Sequence, residues 1–233
     1  MDDTTMLDQT PAVHPMRRVM EEARERLRSI SASGEQTSSP AREIHSEPPA
    51  LPPWPLGVAR AVPSEADPRV MAQMVQAAQE GRWPILLAGS CGLGKSCLAC
   101  LMASRIPNWR FAAVSELVGQ VIQARTSDAK TVVMRTMAGQ EVERNETEIF
   151  RWVESAPILV LDDVGVRPMT EVQSDILLRM LDLRLGKPLI ATTNCTAVTL
   201  PQMVGERCAS RLRAGAQFRM LGTDRRLANG GAR

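Results

Sequence analysis

The residues best equipped for chemistry are Gly89-Ser90-Cys91-Gly92-Leu93-Gly94-Lys95-Ser96. They fit the spacing G-x-x-x-x-G-K-[ST], which binds nucleotide phosphates. The glycines let the backbone turn tightly and present its N–H groups as a nest for anionic oxygens. Lys95 can set an ammonium between the β- and γ-phosphates of ATP, and Ser96 can offer a hydroxyl to Mg²⁺. Context supports the match. Trp83-Pro84-Ile85-Leu86-Leu87-Ala88 reads as a buried strand, and Cys97 to Ala103 as a buried helix. A helix that starts here also points the positive end of its dipole at the anion.

Three further stretches carry polar groups where strands or helices end. Pro157-Ile158-Leu159-Val160-Leu161-Asp162-Asp163 is an apolar strand closed by two acids. At the carboxyl end of a parallel strand, Asp162 can hold Mg²⁺ through water and Asp163 can orient an attacking water. Pro188-Leu189-Ile190-Ala191-Thr192-Thr193-Asn194 is another strand, and Asn194 at its end can reach a γ-phosphate. Gly205-Glu206-Arg207-Cys208-Ala209-Ser210-Arg211-Leu212-Arg213 places Arg207 and Arg211 on one helix face. Arginines so far along the chain suit reaching into a neighbouring subunit's site, or else form a solvated basic face or contact DNA.

The connecting elements follow from patterning. Ser64 or Asp67 can cap a helix whose first turn holds Pro68, with Val70, Met71, Met74, Val75 and Ala78 on its apolar face. Trp109 to Val114 reads as a strand, and Ser115 as the cap of a helix carrying Leu117, Val118, Val121 and Ile122. Residues 126–147 are polar with little pattern and read as a surface excursion, or as a loop meeting nucleic acid through Lys130 and Arg135. Helices follow over 148–155 and 170–185, the second ended by Gly186, and Gln217 to Leu221 reads as a fifth strand.

Composition narrows the choices. The net charge of +2 announces no nucleic-acid partner, and with no Tyr and three Phe a broad aromatic stacking platform is not expected. Five cysteines, an odd number, and no leader-like start point to a reducing cytoplasm. Cys97 and Cys100 form a C-x-x-C inside the helix after the phosphate loop, so they read as buried small residues. No apolar run is long enough to span a bilayer.

Residues 1–64 differ from the rest: nine of the sixteen prolines lie in them, and 31–50 is polar. Within them Met16, Val19, Met20, Ala23, Leu27 and Ile30 follow helical spacing. That amphipathic helix suits packing on the remaining domain or docking in a partner's groove. Pro52-Pro53-Trp54-Pro55 is stiff, and Trp54 either covers a nucleotide base or caps the core.

Taken in order, Gly-x-x-Gly-x-Gly-Lys-Ser, Leu-Val-Leu-Asp-Asp-Val-Gly, Ala-Thr-Thr-Asn, Gly-Glu-Arg-x-x-Ser-Arg-Leu-Arg-x-Gly and a terminal Asp-Arg-Arg resemble the DnaC-type helicase-loader branch of the AAA+ ATPases. That branch also contains the IstB transposition helpers. The resemblance covers about residues 65–233. It implies a three-layer α/β P-loop NTPase domain with a parallel sheet in the order 5-1-4-3-2 and no full helical lid. Lys95 and Ser96 would be Walker A, Asp162 and Asp163 Walker B, Asn194 sensor 1, Arg211 the arginine finger with Arg207 beside it, and Arg226 the sensor 2 arginine. The resemblance further implies ATP sites between self-associated subunits, single-stranded DNA as a partner, and an N-terminal segment that grips a DnaB-type replicative helicase. The alternative within the branch is an IstB-like helper of a transposase on duplex DNA.

Overall fold

The computed structural model describes residues 54–60 and 67–222. The helix expected over 16–30, the Ser64 cap and Arg226 lie outside the described residues. Helix α1 (Pro68–Gln79) begins at Asp67, whose side chain accepts from the N–H groups of Arg69 and Val70. Strand β1 (Ile85–Ala88) leads through the glycine loop into α2 (Lys95–Ala103). Next come β2 (Arg110–Ala113), α3 (Val114–Thr126), β3 (Thr131–Arg135), β4 (Glu141–Asn145) and α4 (Glu146–Glu154). The chain continues through β5 (Leu159–Val164), α5 (Glu171–Leu183), β6 (Leu189–Thr193), α6 (Thr199–Val204), α7 (Glu206–Arg213) and β7 (Ala216–Arg219).

Five strands form one parallel sheet in the order β2-β5-β6-β1-β7. Counted among these five alone and taken from the β7 edge, that is 5-1-4-3-2, the expected order. Leu86, Leu159, Leu161, Leu189 and Ala191 face the core built with α3 to α7. Alternation along the strands turns Ile85, Leu87, Val160 and Ile190 to the other face, where α1 and α2 pack. Both faces are covered, which is why these strands read as unbroken apolar runs.

The structure corrects several local expectations. Ser115 does not cap α3: the strand turns directly into the helix, Ala113 takes the cap position in extended backbone, and Ser115 lies inside the first turn. Residues 131–145 are not irregular but form an antiparallel hairpin, with Met134 opposite Val142 and Gly139 (φ +81°) in its turn. Arg135 there is paired with Glu141 at 2.9 Å, and Lys130 donates to the carbonyl of Arg125 at 3.0 Å. Helix α4 starts two residues early because Asn145 and Glu148 form a reciprocal capping box. Trp54 lies edge-on against Trp109 with ring centroids 6.1 Å apart, which fits a core cap.

Arg184, just past α5, is 2% exposed. Its guanidinium donates to the carbonyls of Val153, Glu154, Ala156 and Pro188, so it ties the end of α4 to the start of β6. Burial pushes its pKa down to about 10, still charged at neutral pH. Replacing it leaves several buried carbonyls without a donor. Arg184→Ala is expected to lower unfolding free energy in urea by at least about 3 kcal/mol, with secondary structure and nucleotide affinity retained at low denaturant. A loss under about 1 kcal/mol would mean water replaces the guanidinium.

Candidate functional site

The phosphate loop runs from the end of β1 to the start of α2. Its shape depends on a close approach: a Cβ on Gly89 would stand 2.6 Å from the carbonyl oxygen of Met220, just past β7. Gly94 takes φ +82° immediately before α2, a left-handed turn that aims the first helical N–H groups into the loop. Leu93 is buried and serves as the loop's anchor.

Lys95 is 5% exposed, although it is a lysine. Its Nζ donates to the carbonyl of Ser90 at 2.8 Å and to Oδ1 of Asn194 at 2.6 Å. The loop and the end of β6 are thereby joined through one ammonium. Asp162 is 6% exposed, and burial is the largest influence on its carboxyl, raising its pKa. Hydrogen bonds from Thr192 and Ser96 act the other way, as does the nearby Lys95 charge, while Asp163 adds to the rise. Lys95, Ser96, Asp162 and Asn194 therefore come together from three adjacent strands, β5, β6 and β1, at their carboxyl ends.

Asp163 is separated from Asp162 by backbone geometry. Leu161 pairs with Ala191 but Val164 pairs with Thr193, so β5 carries one residue more than β6 over this stretch. Asp163 takes φ +56° at that irregularity. Its carboxylate is exposed and lines a cavity of about 180 Å³ with Ser115, Arg167 and Gln173. Adjacent carboxylates that face different surroundings can hold different roles.

The donors also fit the ion the loop implies. Ser96 at the start of α2 is near Asp162, and the two offer a hydroxyl and a carboxylate, hard oxygen ligands of the kind Mg²⁺ takes. These two side chains would hold it, and it would supply charge neutralisation across bound phosphates.

No family model matches the chain, and no curated protein matches it. Solved structures do. The DnaC helicase loader matches at 18% identity with a TM-score of 0.51, over 72% of this chain and 96% of that one. AMPPCP-bound DnaA from Aquifex aeolicus matches at 20% identity with a TM-score of 0.52, over 68% of this chain and 48% of that one. DnaA bound to AMPPCP and single-stranded DNA matches at 16% identity with a TM-score of 0.51, over 65% and 46%. The chain has the fold of DnaC and DnaA. It spans about half the length of the DnaA structures and nearly all of the DnaC one.

Within the DnaC-like fold the arginines stand apart from the cluster. Arg211 on α7 donates through Nε to Asp182 on α5 at 2.7 Å, in a pair about two-fifths exposed on each side. Such a pair is worth little, so Arg211 can leave Asp182 at small cost. Arg207 is exposed four residues earlier. Cys100 is buried in α2, where burial and the Asp162 charge push its thiol pKa up, and among the described residues no group of acids, histidines and cysteines could hold a metal ion by itself. No helix of the described residues is long and apolar enough to cross a membrane.

Sequence reasoning missed Thr192 and Thr193. Both are buried, and their hydroxyls bind the end of β5: Thr192 to Asp162 and Thr193 to the carbonyl of Val164. The available signal was two hydroxyls side by side in an otherwise apolar buried strand, each of which must find a partner. The loop geometry makes its own prediction. Gly89→Ala is expected to abolish the thermal stabilisation given by Mg²⁺ and ATP, because a Cβ 2.6 Å from Met220 O forces the loop open. A nucleotide-induced shift equal to that of the unaltered protein would show that the loop does not hold the phosphates.

Proposed function

We propose that this chain is an ATPase that loads a replicative helicase onto single-stranded DNA in the cytoplasm. The observation that carries the ATPase part is the meeting of Lys95, Ser96, Asp162 and Asn194 at the ends of adjacent parallel strands. A DnaC-like fold over 96% of the loader structure supports the replication role.

In this reading the loop N–H groups and Lys95 bind the phosphates, and Lys95 exchanges Asn194 for phosphate oxygens. Ser96 and Asp162 orient Mg²⁺. Asp163 orients the attacking water, and Asn194 reports the state of the terminal phosphate. Arg211, with Arg207 beside it, acts in a neighbouring subunit's site, so turnover requires self-association. Arg226 contributes from the C-terminal side, and residues 1–64 make the helicase contact.

Two outcomes test the assignment. Lys95→Ala is expected to remove ATP turnover; surviving turnover would contradict the active site. Arg211→Ala is expected to lower turnover by about 10³-fold with nucleotide affinity unchanged within about two-fold. Loss of binding instead would contradict action in trans. The partner is tested by size-exclusion chromatography with light scattering, using ATP and the host's replicative helicase. The full chain is expected to form a complex that a chain starting at Ser64 does not. No complex with either would contradict helicase loading, and duplex DNA binding with a transposase would then favour an IstB-like helper.

A further inference from the structure

We propose that Thr192 is a positioning residue: its one hydroxyl holds Asp162 for Mg²⁺ and fixes the backbone that presents Asp163. This rests on the ATPase reading of the same site and assigns a role to a residue that lies within the Ala-Thr-Thr-Asn stretch but was given none by it.

Thr192 has no exposed surface. Its Oγ1 donates to Oδ1 of Asp162 at 2.6 Å and accepts from the backbone N–H of Asp163 at 3.0 Å. A hydroxyl has a single proton, so giving it to Asp162 leaves the oxygen's lone pairs for Asp163. Both acids of the pair are thus read by one atom. The extra residue in β5 makes this bond necessary, because Asp163 sits where the register between β5 and β6 shifts. Its N–H takes the Thr192 hydroxyl as partner in place of a strand carbonyl. A left-handed backbone at a non-glycine residue is strained and persists only when its surroundings hold it. Here the hold is built by two consecutive threonines. Thr193 donates to the carbonyl of Val164 at 2.7 Å and accepts from the N–H of Cys195 at 3.0 Å.

The result is a division between the acids. Asp162 stays turned inward beside Ser96 and Lys95, while Asp163 faces the cavity with Ser115 and Arg167. Valine at position 192 keeps the shape but removes both hydrogen bonds. Asp162 then loses a fixed orientation, and the Asp163 N–H loses its partner. Serine keeps the hydroxyl and loses only a methyl group.

The test uses the full chain with Thr192→Val and Thr192→Ser. Three quantities are read: kcat and KM for ATP at saturating Mg²⁺, the Mg²⁺ concentration giving half of the ADP-induced rise in Tm, and nucleotide affinity in EDTA. T192V is expected to lower kcat by about 10–100-fold and to raise the Mg²⁺ midpoint by about 10-fold or more. KM and affinity in EDTA are expected to stay within about two-fold, since phosphate binding is left intact. T192S is expected to recover both lost properties to within about three-fold of the unaltered protein. Unchanged kcat and Mg²⁺ midpoint in T192V would overturn the proposal, as would a T192S as impaired as T192V. Should T192V not fold, Thr192→Cys, with similar volume and a weak donor, must show a higher Mg²⁺ midpoint and lower kcat than T192S; equality of the two would also overturn it. Turnover that survives Lys95→Ala would sink the ATPase reading itself. A dead Lys95→Ala beside a fully active T192V would sink only the role of Thr192.

Discussion

The structure turns on one electrostatic constraint: an ammonium and a carboxylate are both kept buried at the same end of a parallel sheet. Lys95 and Asp162 are each almost wholly removed from water. Burial alone would drive Asp162 toward its neutral form, and its pKa is indeed raised. What keeps the pair tolerable is a set of short polar bonds: Ser90 and Asn194 on Lys95, and Thr192 on Asp162. Ser90 comes from the glycine loop, and Thr192 and Asn194 from the end of β6, so the burial of two charges depends on the order of the strands.

That dependence explains why elements far from the glycine loop matter. Strand β1 must lie between β6 and β7 for Lys95 to reach Asn194 on one side and for Met220 to close over Gly89 on the other. Strand β6 must lie beside β5 for the threonines to secure the acids. Arg184 fixes the entry to β6 by binding the carbonyl of Pro188. The outer pieces, the β3–β4 hairpin and α7, leave this centre alone. Their charges are engaged locally, as with Arg135 and Glu141 or Arg211 and Asp182.

The sequence made some of this legible and hid the rest for physical reasons. Gly89 to Ser96, the Asp162-Asp163 pair and Asn194 could be read because phosphate and metal chemistry admits few residue types at those spacings. The strand order followed from the family resemblance those motifs carry. Thr192 stayed hidden because threonine is an ordinary strand residue, and only the register shift reveals its second bond. The hairpin stayed hidden because its buried positions, Val132 and Met134, are interrupted by the exposed Val133 and flanked by charge. Ser115 misled because a serine before an apolar helix looks like a cap, whereas the strand and helix are continuous. Arg184 carries no signal in the sequence, because its burial depends on carbonyls at and just past the end of α4, 28 to 31 residues away.

The most direct test is a crystal structure of the full chain with Mg²⁺ and a non-hydrolysable ATP analogue. Phosphates are expected in the Gly89–Ser96 loop, with the Lys95 ammonium moved from Asn194 Oδ1 onto a phosphate oxygen, and Mg²⁺ next to Ser96 and Asp162 with the Thr192–Asp162 bond kept. A nucleotide bound elsewhere, or a Lys95 still bonded to Asn194 with the loop empty, would contradict this.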